Sequence, residues 1–161
     1  MYLGIVGHEA AKFTPETESR AREAIRDYII AYGIGRGDPM DLSIVSGGCH
    51  LGGVDIWAME EVEKSMFQHA MSIVYPAIVH RWSAPGGFKE RNLAIARRSD
   101  LVLVIVVREL PQTYTGMRFS DCYHCKKHHS SRVPPHVKSG GCWTAWEAMA
   151  MGKRAEWRVI E

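Results

Sequence analysis

Long apolar runs are missing from this sequence of 161 residues. The longest, Leu101 to Val107, is far shorter than the roughly 20 residues that a membrane-spanning helix needs. The first residues, Met-Tyr-Leu-Gly-Ile-Val-Gly-His, also lack the basic segment, apolar stretch and cleavage site of an export signal. We therefore expect a soluble, cytoplasmic protein without a membrane partner.

Strong net charge and abundant cysteine are absent as well. The formal net charge is +2 at pH 7, and the isoelectric point of 8.4 lies below the value of about 9 typical of domains that grip nucleic acid. The charge therefore neither indicates nor excludes a nucleic-acid partner. Four cysteines are too few for a disulfide scaffold, and a close pair in a reducing compartment favours metal or redox chemistry.

Short apolar runs alternate with longer segments of helical spacing along the whole chain. The runs predict five strands, at Leu3 to Val6, Leu42 to Val45, Ser72 to Tyr75, Leu101 to Val107 and Trp157 to Ile160. The segments between them predict helices at Pro15 to Ala31, Val54 to His69, Phe88 to Arg98 and Thr144 to Met151. This alternation is typical of a single α/β domain over residues 1–161, a doubly wound three-layer sandwich with a Rossmann-like parallel sheet.

The first helix and one long connection have clear local signals. Thr14 can cap the helix, Pro15 suits its first position, and Gly33 and Gly35 predict its end. Residues 109–138 fit no period and are crowded with Cys, His, Ser and Pro, so they predict an insertion before the last helix.

Paired glycines occur at two predicted strand-to-helix turns. They are Gly47, Gly48, Gly52 and Gly53 after the second strand, and Gly140 and Gly141 before the last helix. Backbone amides at such turns can approach a phosphate without interference from a Cβ atom, although the same glycines can serve only to make tight bends. Neither Gly-x-Gly-x-x-Gly nor a Gly-Lys-Ser/Thr ending is present, so we expect no organic cofactor and no ATP hydrolysis. His8, after the first strand, is either a ligand contact or a solvated loop residue.

Several segments together resemble the SLOG superfamily. They are Ser46-Gly47-Gly48, Gly53-Val54-Asp55, Arg91-Asn92, Ser99-Asp100-Leu101-Val102, and Gly140-Gly141 with Thr144 and Glu147. This superfamily includes the LONELY GUY-type phosphoribohydrolases and the Rossmann domain of DNA-processing protein A. The resemblance implies a nucleotide or another phosphate-bearing ligand bound by Gly47, Gly48, Gly53, Asp55, Asn92, Gly140, Gly141 and Thr144. It also implies a homo-oligomer.

The phosphoribohydrolase motif, Pro-Gly-Gly-x-Gly-Thr-x-x-Glu, matches residues 139–147 in part. Ser139 replaces its proline and Trp143 its third glycine. The resemblance implies that Glu147 and Arg91 are the catalytic pair that hydrolyses the N-glycosidic bond of a nucleoside 5'-monophosphate. The residues alone favour another interpretation, in which Glu147 is an acid stabilised by the helix dipole and Arg91 is its surface partner. The alternatives to an enzyme are a non-catalytic nucleotide sensor and a single-stranded DNA-binding protein.

The insertion contains a metal-binding half-site. Cys122 and Cys125 have the Cys-x-x-Cys spacing that grips one metal ion, and His128 and His129 follow closely. We predict that these four residues hold a structural zinc ion, with His136 and Cys142 as the other ligand choices. The alternatives are two free thiols, a redox pair or a mobile basic loop.

Overall fold

Segments rich in Val, Ile and Leu form one parallel sheet in the computed structural model. The structure describes residues 1–34, 42–65, 71–73, 85–119, 121–128 and 133–161, with backbone alone at 34 and 71–73. The strands are β1 (Tyr2–Gly7), β2 (Ser43–Ser46), β3 (Met71–Ile73), β4 (Leu101–Val107) and β5 (Arg154–Ile160). Their order across the sheet is β3-β2-β1-β4-β5, and every neighbouring pair is parallel. The predicted parallel sheet is confirmed.

Helices cover both faces of this sheet. They are α1 (Pro15–Ile34), α2 (Val54–Lys64), α3 (Phe88–Arg98), α4 (Tyr123–Lys127) and α5 (Gly140–Ala150), with a 3-10 turn at Ala10–Lys12. Helices α1 and α2 pack together on one face, and α3 and α5 on the other. This arrangement is the predicted doubly wound, three-layer sandwich. Among the described helices, none is both long and apolar enough to cross a bilayer.

Strand β4 is the centre of the core because it is paired on both edges and covered on both faces. All seven of its residues are buried. Leu101, Leu103 and Ile105 pack toward α1 and α2, whereas Val102 and Val104 pack toward α3 and α5. A strand with two buried faces needs apolar side chains at every position. Burial on both faces therefore explains the uninterrupted apolar run from Leu101 to Val107.

The start of α1 is as predicted, but its end is not. The Thr14 hydroxyl accepts a hydrogen bond from the Thr17 amide at 3.1 Å, and the Thr17 hydroxyl accepts one from the Thr14 amide at 2.8 Å. This reciprocal pair satisfies amides that the helix leaves free. Gly33 lies inside α1 and does not terminate it, and Gly35 is outside the described residues.

Two other helix boundaries differ from the predictions. Helix α2 ends at Lys64 and not at His69, because both the amide and the hydroxyl of Ser65 donate to the Val62 carbonyl. Helix α5 begins at Gly140 and not at Thr144, since the Ser139 hydroxyl accepts from the Gly141 amide at 3.1 Å.

The last strand is longer than predicted, and the third is only partly described. Strand β5 begins at Arg154, whereas the predicted strand begins at Trp157. Strand β3 covers Met71–Ile73, and the rest of its predicted range lies outside the described residues.

Candidate ligand cleft and metal centre

A cleft of about 250 Å³ opens at the carboxyl edge of the sheet. It lies where β1 separates β2 from β4 and the chain changes from one helix layer to the other. Open parallel sheets bind ligands at such switch points because neighbouring loops diverge there. Six of the predicted ligand and catalytic residues line the cleft, namely Asp55, Arg91, Asn92, Gly140, Gly141 and Thr144.

A buried ion pair lies in the cleft wall. Arg91, on α3, donates from Nη1 to Oδ2 of Asp55 at 2.6 Å, and the two side chains are 10% and 8% exposed. Burial raises the pKa of the Asp55 carboxyl, and the neighbouring guanidinium offsets part of this shift. The Arg91 side chain also lies over the Phe88 ring, 5.3 Å from its centroid. Asp55 therefore orients the guanidinium in the wall of the cleft.

One donor of this guanidinium has no acceptor among the described residues. The Nε atom of Arg91 is buried and makes no hydrogen bond within the part of the chain that the structure describes. An unsatisfied buried donor costs about 1–3 kcal/mol, and more when the group is charged. Arg91 also lines the cleft, so an anionic ligand can supply the missing acceptor once a shift of the side chain exposes this buried atom.

Two predicted ligand glycines instead allow close packing around the site. A Cβ atom at Gly47 would overlap Nη1 of Arg91 and lie 2.6 Å from Oδ2 of Asp55. Gly53 has a φ of +84°, and a Cβ atom there would overlap the carbonyl of His8. Neither glycine is among the described residues that line the cleft, and Gly48 is not either. The glycines near β2 thus make room for the ion pair and the turn.

The start of α5 forms the opposite wall. The sequence predicts that Gly140 and Gly141 form a turn before this helix, but they are its first two residues. A Cβ atom at Gly141 would lie 3.0 Å from the Gly7 amide nitrogen, so glycine lets α5 begin directly against the end of β1. The amides at a helix start carry partial positive charge. Lys12 and Lys138 also line this cleft, and the Lys138 ammonium lies over the Phe119 and Tyr123 rings, 4.9 and 5.2 Å from their centroids.

Lys12 is partly buried in this cleft. Burial lowers the pKa of its ammonium group, although the Glu9 carboxylate, 3.8 Å away, opposes the shift. A second negative charge, supplied by a ligand, would further favour the charged lysine.

Glu147 does not partner Arg91 as the resemblance implied. Arg91 pairs with Asp55, and Glu147 is not among the described residues that line the cleft. The physical reason is the early start of α5 at Gly140, which places Glu147 about two turns into the helix. The hydroxyl of Thr144, by contrast, lies nearer the helix start and donates to the Gly140 carbonyl at 3.3 Å.

His8 is a buried structural residue. Its Nδ1 accepts from the Val107 amide at 3.2 Å, which leaves the proton on Nε2, and Nε2 donates to the Lys138 carbonyl at 3.1 Å. Burial, with a smaller contribution from the charge of Lys12, lowers the pKa of His8 to about 3. The imidazole is therefore neutral and joins the ends of β1 and β4 to the Lys138 backbone. It is not the solvated loop residue that one prediction described.

This neutral histidine predicts a pH dependence of stability. Between about pH 3 and its ordinary pKa of 6.5, His8 takes up a proton in the unfolded chain but not in the folded one. Its contribution to stability is therefore present above pH 6.5 and falls on acidification, by about 1.4 kcal/mol per pH unit. In urea unfolding, the advantage of the wild type over His8→Asn should shrink by about 1.4 kcal/mol from pH 7.5 to 5.5. An equal advantage at both pH values would contradict the burial of a neutral imidazole.

A second cluster brings together three thiols and one imidazole where the insertion packs against α5. Cys122, Cys125, His136 and Cys142 are all buried, and their ligand atoms lie within 4.8 Å of one another. Nε2 of His136 is 3.2 Å from Sγ of Cys142 and 3.6 Å from Sγ of Cys125. The four residues form a candidate metal centre, and the cysteines are free thiols.

The groups around the cluster suit a metal ligand set. Nδ1 of His136 is 2.7 Å from the Pro134 carbonyl, to which it donates, so the lone pair of Nε2 faces the thiols. Metal-bound histidines are commonly oriented by such a carbonyl. Hydrogen bonds from Cys125 and then Cys142 lower the pKa of the Cys122 thiol, whereas burial and the same contacts raise the pKa of Cys142, so one proton is held unevenly within the cluster. Trp146 donates from Nε1 to Sγ of Cys125 at 3.5 Å.

The histidine of this cluster is not one of the two first predicted. His128 is exposed and stacks on the Trp146 ring, with centroids 4.1 Å apart and planes 12° apart. It follows the last residue of α4, where the chain leaves the helix. His129 lies outside the described residues. His136 and Cys142 complete the cluster because the chain returns past the short α4 as it enters α5.

The sheet order, the two helix layers and the cleft at the switch point define a Rossmann-like α/β protein. The fold is similar to the X-ray structure of DNA processing protein A (DprA) from Streptococcus pneumoniae, with a TM-score of 0.41 and 13% sequence identity. The match covers 96% of this chain and 58% of that one, so this chain spans a little over half of its length. No family model matches the sequence, and no curated protein does either.

Proposed function

We propose that the protein binds a small phosphate-bearing ligand of the nucleotide class in the cleft at the carboxyl edge of the sheet. The observation that carries this proposal is the guanidinium of Arg91, which Asp55 holds in the cleft wall while its side chain stays 10% exposed. Lys12, Lys138 and the first amides of α5 surround the same space. A phosphate group would accept from Arg91 and neutralise part of this positive charge.

The other lining residues suit the remainder of a nucleotide. Asn92 and Asp55 offer polar atoms for ribose hydroxyls, and Phe88 and Leu51 offer apolar surface for a base. The volume of about 250 Å³ lies at the small end of ligand sites, which favours a mononucleotide over a dinucleotide. The glycine-containing segments that resemble SLOG proteins support the same ligand class.

The geometry favours binding over glycosidic hydrolysis. Hydrolysis of an N-glycosidic bond needs a carboxylate near the ribose. Glu147 lies away from the cleft, and the acids that line it among the described residues are Glu9 and Asp55. Asp55 is already held by Arg91. We therefore propose a nucleotide-binding protein of the sensor type, in which any hydrolysis would depend on Asp55 and not on Glu147.

Calorimetric titration with three sets of ligands tests this function. The sets are the four ribonucleoside 5'-monophosphates, the matching nucleosides and inorganic phosphate. Monophosphates and phosphate should bind, and each monophosphate should bind more tightly than its nucleoside. Equal affinities for nucleoside and monophosphate, or no binding at all, would reject the proposal. Free base in the same samples would show an enzyme, and salt-dependent binding of single-stranded oligonucleotides alone would show a nucleic-acid-binding protein.

Lys138→Gln should weaken monophosphate binding at least tenfold. A charge-assisted hydrogen bond contributes about 1.5–3 kcal/mol, and the substitution removes the charge from the wall of the cleft. Nucleoside affinity should stay unchanged, because Lys138 is assigned to the phosphate. Lys64→Gln is the matched control, since Lys64 ends α2 far from the cleft and is paired with Glu61. Equal losses in both variants would point to general electrostatics instead of a phosphate site.

For the buried cluster we propose zinc. Three cysteines and one histidine form a four-ligand set of the kind that binds zinc tetrahedrally in closed, structural sites. Such a set leaves no open position for substrate, so the ion would stabilise the insertion and would not act in catalysis.

Metal analysis of the dialysed protein should give one zinc per chain. Cobalt(II) in place of zinc should show the visible absorption of a tetrahedral thiolate site. His136→Gln should lose the metal, whereas His128→Gln should keep it, because the His128 ring stacks on Trp146. A zinc ratio near zero in protein purified without chelator would reject the proposal.

A further inference from the structure

Two residues of the candidate metal centre lie on either side of the segment that forms one wall of the cleft. His136 and Cys142 are six residues apart. Four residues between them, Lys138, Ser139, Gly140 and Gly141, line the cleft. Cys142 is itself the third residue of α5. The segment that would contact a phosphate is thus held at both ends by residues of the buried cluster.

Other contacts also hold this segment, because Val137 and Ser139 are buried and the Lys138 ammonium lies over the Phe119 and Tyr123 rings. The Val137 amide donates to the Val107 carbonyl at 3.1 Å, and His8 donates to the Lys138 carbonyl at 3.1 Å. On its N-terminal side, the described residues between β4 and this segment contain the five-residue α4 and no other helix or strand. The cluster residues are therefore one connection between the insertion and the body of the domain, beside the packing of Val137 in the core and the stacking of His128 on Trp146.

We propose that the metal centre builds this wall of the cleft, so that phosphate affinity depends on metal loading. A bound ion fixes Cys122 and Cys125 against His136 and Cys142, and this removes conformational freedom from the segment between the last two. Without the ion, the first turn of α5 and the Lys138 backbone lose that restraint. A ligand must then order them on binding, which weakens its affinity. This inference rests on the proposed phosphate site.

Coupling of this kind is reciprocal. If the metal raises phosphate affinity by some factor, phosphate must raise metal affinity by the same factor. The metal centre would then act as a control element, through which metal availability sets the occupancy of the cleft. Cys125 is the best residue for testing this coupling, because it lies outside the segment from His136 to Cys142 and does not line the cleft.

Hydrogen exchange tests the wall without any ligand. Wild-type protein is compared when zinc-loaded, after removal of zinc by a chelator, and after zinc is restored. Amides of residues 137–143 should exchange at least tenfold faster without zinc and recover with it, while those of β4 stay protected. Unchanged exchange at residues 137–143 would overturn the inference. Complete loss of protection in β4 would also overturn it, since the ion would then hold the whole fold.

Titration with inorganic phosphate and AMP tests the coupling. Removal of zinc should weaken both affinities at least tenfold, and restored zinc should recover them. Cys125→Ser should match the zinc-free protein even with zinc present, and His128→Gln should match the wild type. Equal affinities with and without zinc would overturn the inference. If the zinc-loaded protein binds neither probe, the proposed function fails, and hydrogen exchange still decides whether the metal builds the wall.

Discussion

Replacing Cys142 with serine should remove the bound metal and destabilise the protein by several kcal/mol. Its thiol is fully buried, 3.2 Å from the His136 imidazole. Structural zinc sites contribute apparent free energies of about 10–16 kcal/mol in small domains. A serine would lose a ligand and leave a buried hydroxyl that costs about 1–3 kcal/mol when unsatisfied. Since whole domains are stable by about 5–15 kcal/mol, urea unfolding should show a large decrease in the midpoint.

The matched control is the cysteine outside the cluster. Cys49→Ser should keep one zinc per chain and unfold within about 0.5 kcal/mol of the wild type, because Cys49 is half-buried near the surface. Chelation should destabilise the wild type strongly but add little to Cys142→Ser, since the two changes remove the same interaction. A serine variant with full zinc content and an unchanged midpoint would show that Cys142 is not a ligand.

Most of the sheet was predictable because burial on both faces leaves a local pattern. Strand β4 and helix α3 have the predicted bounds, Leu101–Val107 and Phe88–Arg98. A central parallel strand must be apolar at every position, and an amphipathic helix must repeat every 3.6 residues. Boundaries such as the ends of α1 and α2 were less predictable, since they depend on single hydrogen bonds like those of Ser65.

The cleft was predictable in position but not in its contacts. Paired glycines after β2 and at the start of α5 indicated the carboxyl edge, and Asp55 and Arg91 both line the cleft there. Their pairing was not predictable, because they are 36 residues apart and share no local period. The role of Gly47 is also visible only in three dimensions, where a Cβ atom would overlap the Arg91 side chain.

The metal centre, too, was predictable where its residues are close in the sequence and not where they are far apart. The spacing of Cys122 and Cys125 is a local motif, and both belong to the observed cluster. The choice between His128 and His136 depends on where the chain turns after α4, which no spacing in the sequence encodes. The proline pair before His136 fixes the backbone whose carbonyl orients the imidazole.

Removing the Arg91 charge should have the largest effect on ligand binding. Arg91→Leu deletes the donor that lacks an acceptor and leaves Asp55 buried and unpaired. Breaking a buried ion pair in this way costs about 3–5 kcal/mol of stability. Monophosphate affinity should fall at least a hundredfold in calorimetric titration, because the guanidinium is the central phosphate contact of the proposed site.

Loss of binding and loss of stability can be separated with a double variant. Arg91→Leu combined with Asp55→Leu replaces both charges with apolar groups, which is often neutral or stabilising for a buried pair. The double variant should therefore recover most of the stability lost in Arg91→Leu but none of the phosphate affinity. If affinity returned together with stability, Arg91 would matter only for folding. The unpaired Nε would then have no part in ligand recognition.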